Sequence, residues 1–245
     1  MLNNKTYVVC NLKANKTRNE LIEYEKELSR INIDSKIELI ICPSTPFLFI
    51  FQRDFYKLGS QDISKYECGP HTGENTAEQL SSLNVKYALV GHSERRKLFK
   101  EEEQTIINKI KKAYHSHIKP IYFIGESAEQ RKYNLTSNVL EKQLSHIIDE
   151  VPDYKREKMI IVYEPVWAIG TGRVPTNKEI EQSVQDIRTV ISEDFSVKAS
   201  EKMAILYGGS VNQDNSSTIL KIKGVNGLLV GGACLSSESF ANICK

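Results

Sequence analysis

The chain lacks what would tie it to a disulfide scaffold, a metal centre or a membrane. It has five cysteines, Cys10, Cys42, Cys68, Cys234 and Cys244, an odd number with no C-x-x-C pair. Thiols scattered in this way supply neither a disulfide framework nor a zinc-ligand spacing, and they fit a reducing cytosol. No long apolar run occurs. The first ten residues, MLNNKTYVVC, hold an apolar stretch far too short for a signal sequence or a membrane span, so a cytoplasmic protein is expected. An excess of one charge is lacking too. Lys and Arg number 33 against 31 Asp and Glu, leaving a formal +2 with the signs mixed along the chain. Neither nucleic acid nor an anionic membrane is expected as a partner. Linkers, low-complexity tracts and sequence repeats are missing as well, and a single domain over residues 1–245 is expected.

What is present is an alternation. Short β-rich runs lie at Thr6–Cys10, Ile37–Cys42, Lys57–Gln61, Tyr87–Gly91, Lys119–Gly125, Met159–Glu164, Met203–Tyr207 and Gly227–Gly231. Most are uninterrupted apolar runs, as parallel strands covered on both faces require. Between them lie helical patterns. In Asn177–Asp194, Ile180, Val184, Ile187 and Ile191 share one face. Thr176, with Glu179 three residues on, reads as a capping box at its start. Glu102–His117 aligns Ile106, Ile110 and Ala113, and Lys142–Asp149 aligns Leu144, Ile147 and Ile148. Eight strands alternating with helices predict an α/β fold, a (β/α)8 barrel. The pattern alone also admits a doubly wound sheet.

In such a barrel chemistry gathers at the C-terminal ends of the strands. The first run ends in Asn11-Leu12-Lys13 and the fourth in Gly91-His92-Ser93-Glu94-Arg95-Arg96. The sixth ends in Glu164, the seventh in Gly208-Gly209-Ser210 and the eighth in Gly231-Gly232. Each has a plain reading: Glu164 as a solvated strand-end charge, His92 as a core histidine, Lys13 as a surface lysine, the glycine pairs as turns. Their arrival on one rim is what the plain readings leave unexplained. Paired glycines bare the backbone, so that successive N–H groups can converge on an anion, and Ser210 adds a hydroxyl. Loops after the seventh and eighth strands of a barrel commonly hold phosphate. Lys13 supplies a cation, while His92 and Glu164 could divide proton exchange and oxygen polarisation between them. No further carboxylate or cysteine completes a metal set or a nucleophile triad. The pattern predicts proton transfer beside a carbonyl on a small phosphorylated substrate, with no cofactor and no metal.

These residues stand in segments that resemble the triosephosphate isomerase family along nearly the whole chain. They are GPHTGENTAEQL (69–80), VKYALVGHSERR (85–96), Ile124-Gly125-Glu126, YEPVWAIGTG (163–172), YGGSV (207–211) and LVGGA (229–233). The resemblance implies a TIM barrel and a cofactor-independent isomerase. It makes Glu164 the base between C1 and C2, His92 the electrophile, Lys13 the stabiliser of enediolate and phosphate charge, and Asn11 a positioning group. Gly170, Ser210, Gly231 and Gly232 would bind phosphate. The family is itself the standard instance of a neutral histidine beside a basic glutamate, with a helix N-terminus, here Ser93-Glu94, facing the ring. It is likewise the standard instance of a closing lid, here Pro165–Gly172, with Trp167 as its apolar anchor. The resemblance also implies a homodimer, with the loop Cys68–Asn75 reaching a partner and Thr72 near the partner's Asn11 and Lys13.

Leu12, Ala14, Pro70-His71, Phe123 and Cys234 depart from the usual family pattern. None is expected to touch a catalytic group; their weight is expected to fall on dimer affinity and local packing. The alternative is a catalytically silent phosphate-binding barrel or scaffold. Such a relic is expected to have lost Lys13, His92 or Glu164, and all three are present.

Overall fold

The computed structural model describes residues 5–169 and 173–244, together with the backbone but not the side chains of residues 148, 149, 153 and 154. The eight sequence runs form eight parallel strands: β1 (Thr6–Asn11), β2 (Ile37–Cys42), β3 (Lys57–Ser60), β4 (Tyr87–Val90), β5 (Lys119–Ile124), β6 (Ile160–Tyr163), β7 (Ala204–Tyr207) and β8 (Gly227–Val230). They close in chain order, β1 pairing with β2 on one side and β8 on the other. This is the (β/α)8 barrel, and the doubly wound alternative falls with the closure. The expected runs start and stop within about two residues of the strands, the ordinary uncertainty of element ends.

The helices are α1 (Arg18–Leu28), α2 (Ala77–Ser82), α3 (Ser93–Leu98), α4 (Glu103–His115), α5 (Ala128–Lys132) and α6 (Thr136–Glu150). They continue with α7 (Asp153–Arg156), α8 (Asn177–Asp194), α9 (Val197–Lys202), α10 (Ser216–Leu220) and α11 (Ser237–Ile243). Helix α8 has the bounds read from the sequence. Its capping box is formed: Thr176 Oγ1 accepts from the Glu179 amide, and Glu179 accepts from the Thr176 amide. Helix α6 starts six residues earlier than expected, since Leu140, fully buried, carries the apolar stripe back beyond Leu144. Helix α4 ends at His115, and His117 follows in the left-handed region at φ 59°.

Strand alternation sorts the core into two layers. Inward residues such as Val9, Ile40, Leu89, Ile121, Val162 and Leu206 fill the barrel. Their outward neighbours, including Val8, Ile41, Val90, Ile161 and Val230, pack with helix residues such as Leu21, Ile110, Leu144 and Ile187. Both faces of each strand are thus covered, which is why the strands read as continuous apolar runs. No helix among the described residues is long and apolar enough to cross a membrane. All five cysteines are free; Cys68 is exposed and the others are buried.

Candidate active site

The C-terminal end of β1 delivers Asn11 and Lys13. Asn11 is buried and its Oδ1 accepts from the Lys13 amide at 3.0 Å. That bond holds Lys13 at φ 51°, a conformation that non-glycine residues take rarely and at a cost. The Lys13 carbonyl is pinned in turn by Ser44 Oγ (2.9 Å) and Gln61 Nε2 (2.8 Å). So the stem of Lys13 is fixed, and its ammonium reaches Glu94 Oε1 at 2.6 Å. Gly231, after β8, lies beside that stem: a Cβ there would stand 3.5 Å from Lys13 Cε.

The loop after β4 delivers His92, which caps α3 in an unusual way. Its Nδ1 accepts from the Glu94 amide at 3.2 Å. A nitrogen that accepts a hydrogen bond carries no proton, so the ring proton sits on Nε2 and the imidazole is neutral. Ser93, the first residue of α3, turns to β6. Its amide donates to Glu164 Oε2 (2.9 Å) and its hydroxyl to Glu164 Oε1 (2.7 Å). Glu164 is therefore not a solvated strand-end charge but is only 3% exposed, its buried carboxylate satisfied by those two donors. His92 Nε2 lies 3.5 Å from Glu164 Oε1. Imidazole and carboxylate thus come together from different strands.

On the far side, Ser210 is exposed and its carbonyl accepts from Asn215 Nδ2 at 3.0 Å. Among the described residues no hydrogen bond ties it to Lys13, His92 or Glu164. Gly232 opens a short 3-10 helix, Gly232–Leu235, and a Cβ there would meet nothing within 4 Å. Gly170, expected in the phosphate site, lies outside the described residues, as do Thr171 and Gly172. The near end of the expected lid is described. Val166–Ala168 form a 3-10 turn after Pro165, and Trp167 is buried with its amide bonded to the Glu126 carbonyl at 3.2 Å. Two guanidiniums stand over its indole, Arg131 at 4.1 Å and Arg173 at 4.5 Å from the ring centre.

A cavity of about 510 Å³ opens from Asn11, Lys13 and His92 toward Gly73–Asn75, with Leu98 and Phe99 on its wall. Among the described residues no group of three or more His, Cys, Asp or Glu side chains could hold a metal ion.

The expectation that none of the departing residues touches a catalytic group fails at two positions. Phe123 packs edge-on against His92, ring centres 4.9 Å apart and 62° between planes. Cys234 Sγ donates to the Asn11 carbonyl at 3.5 Å. Phe123 points into the barrel from the end of β5, which the sequence pattern signals only through alternation, while Cys234 sits on the short 3-10 helix after β8. Sequence reasoning also missed Ser93 and Glu94 as partners of Glu164 and Lys13. They stand next to His92 in chain, and adjacency to a strand-end histidine was the available signal.

Fold and site together define a barrel enzyme that brings a carboxylate, a neutral imidazole and a lysine to one mouth. A family model described as triosephosphate isomerase matches residues 6–245, and the chain belongs to that family. It is 38% identical over 240 residues to the triosephosphate isomerase of Clostridium botulinum (strain Langeland / NCTC 10281 / Type F), covering 96% of this chain and 97% of that one. The counterpart in Alkaliphilus oremlandii (strain OhILAs) is 36% identical over 243 residues, 98% of each chain. That of Zygosaccharomyces bailii is 35% identical over 236 residues, 95% of this chain and 94% of the relative.

Proposed function

We propose that the protein interconverts D-glyceraldehyde 3-phosphate and dihydroxyacetone phosphate through an enediolate, a step of glycolysis and gluconeogenesis, as one domain acting in the cytoplasm. The observation that carries this reading is the 3.5 Å approach of buried Glu164 Oε1 to Nε2 of buried His92, which shares a cavity with Lys13. Glu164 takes the proton from C1 of dihydroxyacetone phosphate and returns it to C2. His92, with its proton on Nε2, supplies that proton to the oxygen on C2 as charge develops there, and recovers one from the oxygen on C1. Lys13 offsets the charge of the enediolate and the phosphate, and Asn11 fixes Lys13 through its Oδ1. Gly170, Ser210, Gly231 and Gly232 bind the phosphate; the proximity of Gly231 to Lys13 supports this side of the reading.

With both oxygens of Glu164 held by Ser93, the base is at rest. It leaves those two hydrogen bonds to reach a substrate carbon, and the lid Pro165–Gly172 accompanies that movement. Gly209 is packed so that a Cβ would stand 3.0 Å from Pro165 Cγ, which couples the loop after β7 to the start of the lid. The loop Cys68–Asn75 joins two copies into a homodimer. Its exposure supports this, as do Leu98 and Phe99, 67% and 64% exposed beside Gly73–Asn75.

The test is a coupled assay supplying glyceraldehyde 3-phosphate and following dihydroxyacetone phosphate through an NADH-linked reductase. Glu164→Gln should lower kcat by about 10²–10⁴-fold with a modest change in KM, because a general base acts in the transition state. Comparable turnover in the variant would remove Glu164 as the base. No turnover by a folded dimer of the native chain would overturn the activity itself.

A further inference from the structure

Phe123 is the last inward residue of β5, which lies between the strand leading to His92 and the strand ending at Glu164. Its side chain is 1% exposed. Its backbone is held from both sides. Phe123 pairs in register with Val162, two residues before Glu164, and its carbonyl accepts from Arg96 Nη2 at 3.3 Å. Arg96 also binds the Gly91 carbonyl through Nε at 2.8 Å, so one guanidinium joins the end of β5 to the loop that carries His92.

Four groups meet the His92 ring. The Glu94 amide fixes Nδ1, with the Glu94 carboxylate 3.8 Å from the same nitrogen; Glu164 stands 3.5 Å from Nε2, and the Phe123 ring meets it edge-on at 4.9 Å. A single hydrogen bond at Nδ1 leaves the imidazole free to tilt about that contact. The aromatic wall removes that freedom, because interiors are packed densely enough that a tilted ring would clash. Taking the wall away opens a cavity beside His92.

We propose that Phe123 is a positioning residue for the reaction, holding the His92 imidazole so that Nε2 faces the substrate. This rests on the reading of His92 as the electrophile. It gives an aromatic side chain at the top of the barrel interior a part in catalysis without contact with substrate.

The experiment compares native protein, Phe123→Leu, Phe123→Ala, His92→Gln and the double variant Phe123→Ala with His92→Gln. The coupled assay gives kcat and KM, and ¹⁵N spectra of the imidazole give the tautomer. Phe123→Ala should lower kcat by about 10- to 100-fold with KM changed by less than about threefold, the scale of an ångström-sized misplacement of a reacting group. Its His92 signals should show both tautomers where the native protein shows the Nε2–H form. Phe123→Leu, which keeps apolar bulk, should recover most of the loss. In the His92→Gln background, Phe123→Ala should cost less than about twofold, since residues acting as one unit are not additive. Native kcat and tautomer in Phe123→Ala would overturn the proposal, as would losses that multiply in the double variant. Should Phe123→Ala fail to fold, native kcat with an altered tautomer in Phe123→Leu would overturn it equally. Native turnover in His92→Gln would instead sink the reading of His92 itself, a result distinguishable from the others.

Discussion

An alanine at position 125 would place its Cβ 1.8 Å from the carbonyl oxygen of Glu164. Gly125 cannot retreat, because its amide donates to Gln143 Oε1 at 2.9 Å and its carbonyl accepts from Gln143 Nε2. The strand end carrying Glu164 has to move instead. Gly125→Ala should therefore destabilise the fold by about 2 kcal/mol or more and lower kcat at least about tenfold. A denaturant midpoint and the coupled assay would report the two effects, and native values of both would contradict this close approach. The same residue shows what the sequence makes legible at this scale. Asn11, Lys13, His92 and Glu164 stand out because a charged or polar group at the end of an apolar run is conspicuous. Gly125 and Phe123 do not, because their importance lies in contacts across strands that no local pattern encodes, and Ser93 is marked only by standing next to His92.

Glu179 organises the elements around the proposed lid. One oxygen closes the capping box of α8 by accepting from the Thr176 amide at 2.8 Å. The other accepts from Arg131 of α5 at 2.8 Å and Arg173 at 3.2 Å. The Thr176 amide first, and Arg131 after it, hold this carboxyl at about 2, against the opposing pull of burial. A carboxyl depressed from 4.5 to about 2 in the folded state stabilises the fold above its unfolded value. That contribution fades as pH falls from about 4.5 toward 2. Glu179→Gln should thus unfold at lower denaturant than the native protein at pH 6, and the gap should narrow between pH 4.5 and 2. Circular dichroism across that range checks it; a gap independent of pH would show that the charge is not the source. The capping box was readable from Thr176 and Glu179 because it is a three-residue spacing. The two arginine partners were not, since they come from 48 positions upstream and six upstream.

At the scale of the molecule, the architecture was the most legible feature. Strands covered on both faces write continuous apolar runs, and eight of them with helices between have few ways to close. Closure itself, and the pairing of β1 with β8, is a property of the whole chain and appears only in the structure. Assembly is less legible still, because an interface is surface until a partner covers it. Leu98 and Phe99 are the clearest mark, two large apolar side chains left in solvent beside Gly73–Asn75. Phe99→Asp should place a charge in the buried centre of the proposed dimer and weaken it by about tenfold or more. Sedimentation would show dimers for the native chain and monomers for the variant at micromolar concentration. Native monomers would overturn the dimer, and variant dimers of equal strength would move its interface elsewhere.

Trp167 is the only tryptophan in the chain, and it lies against two guanidiniums at the start of the proposed lid. Its emission therefore comes from a single known place, the start of the proposed lid. Saturating the protein with a non-reacting phosphate analogue should shift the emission maximum if the hinge moves, and replacing Arg173 with Ala should shift it without ligand. Closure of the proposed lid would accordingly be timed by stopped-flow fluorescence with no attached dye and no second tryptophan to subtract.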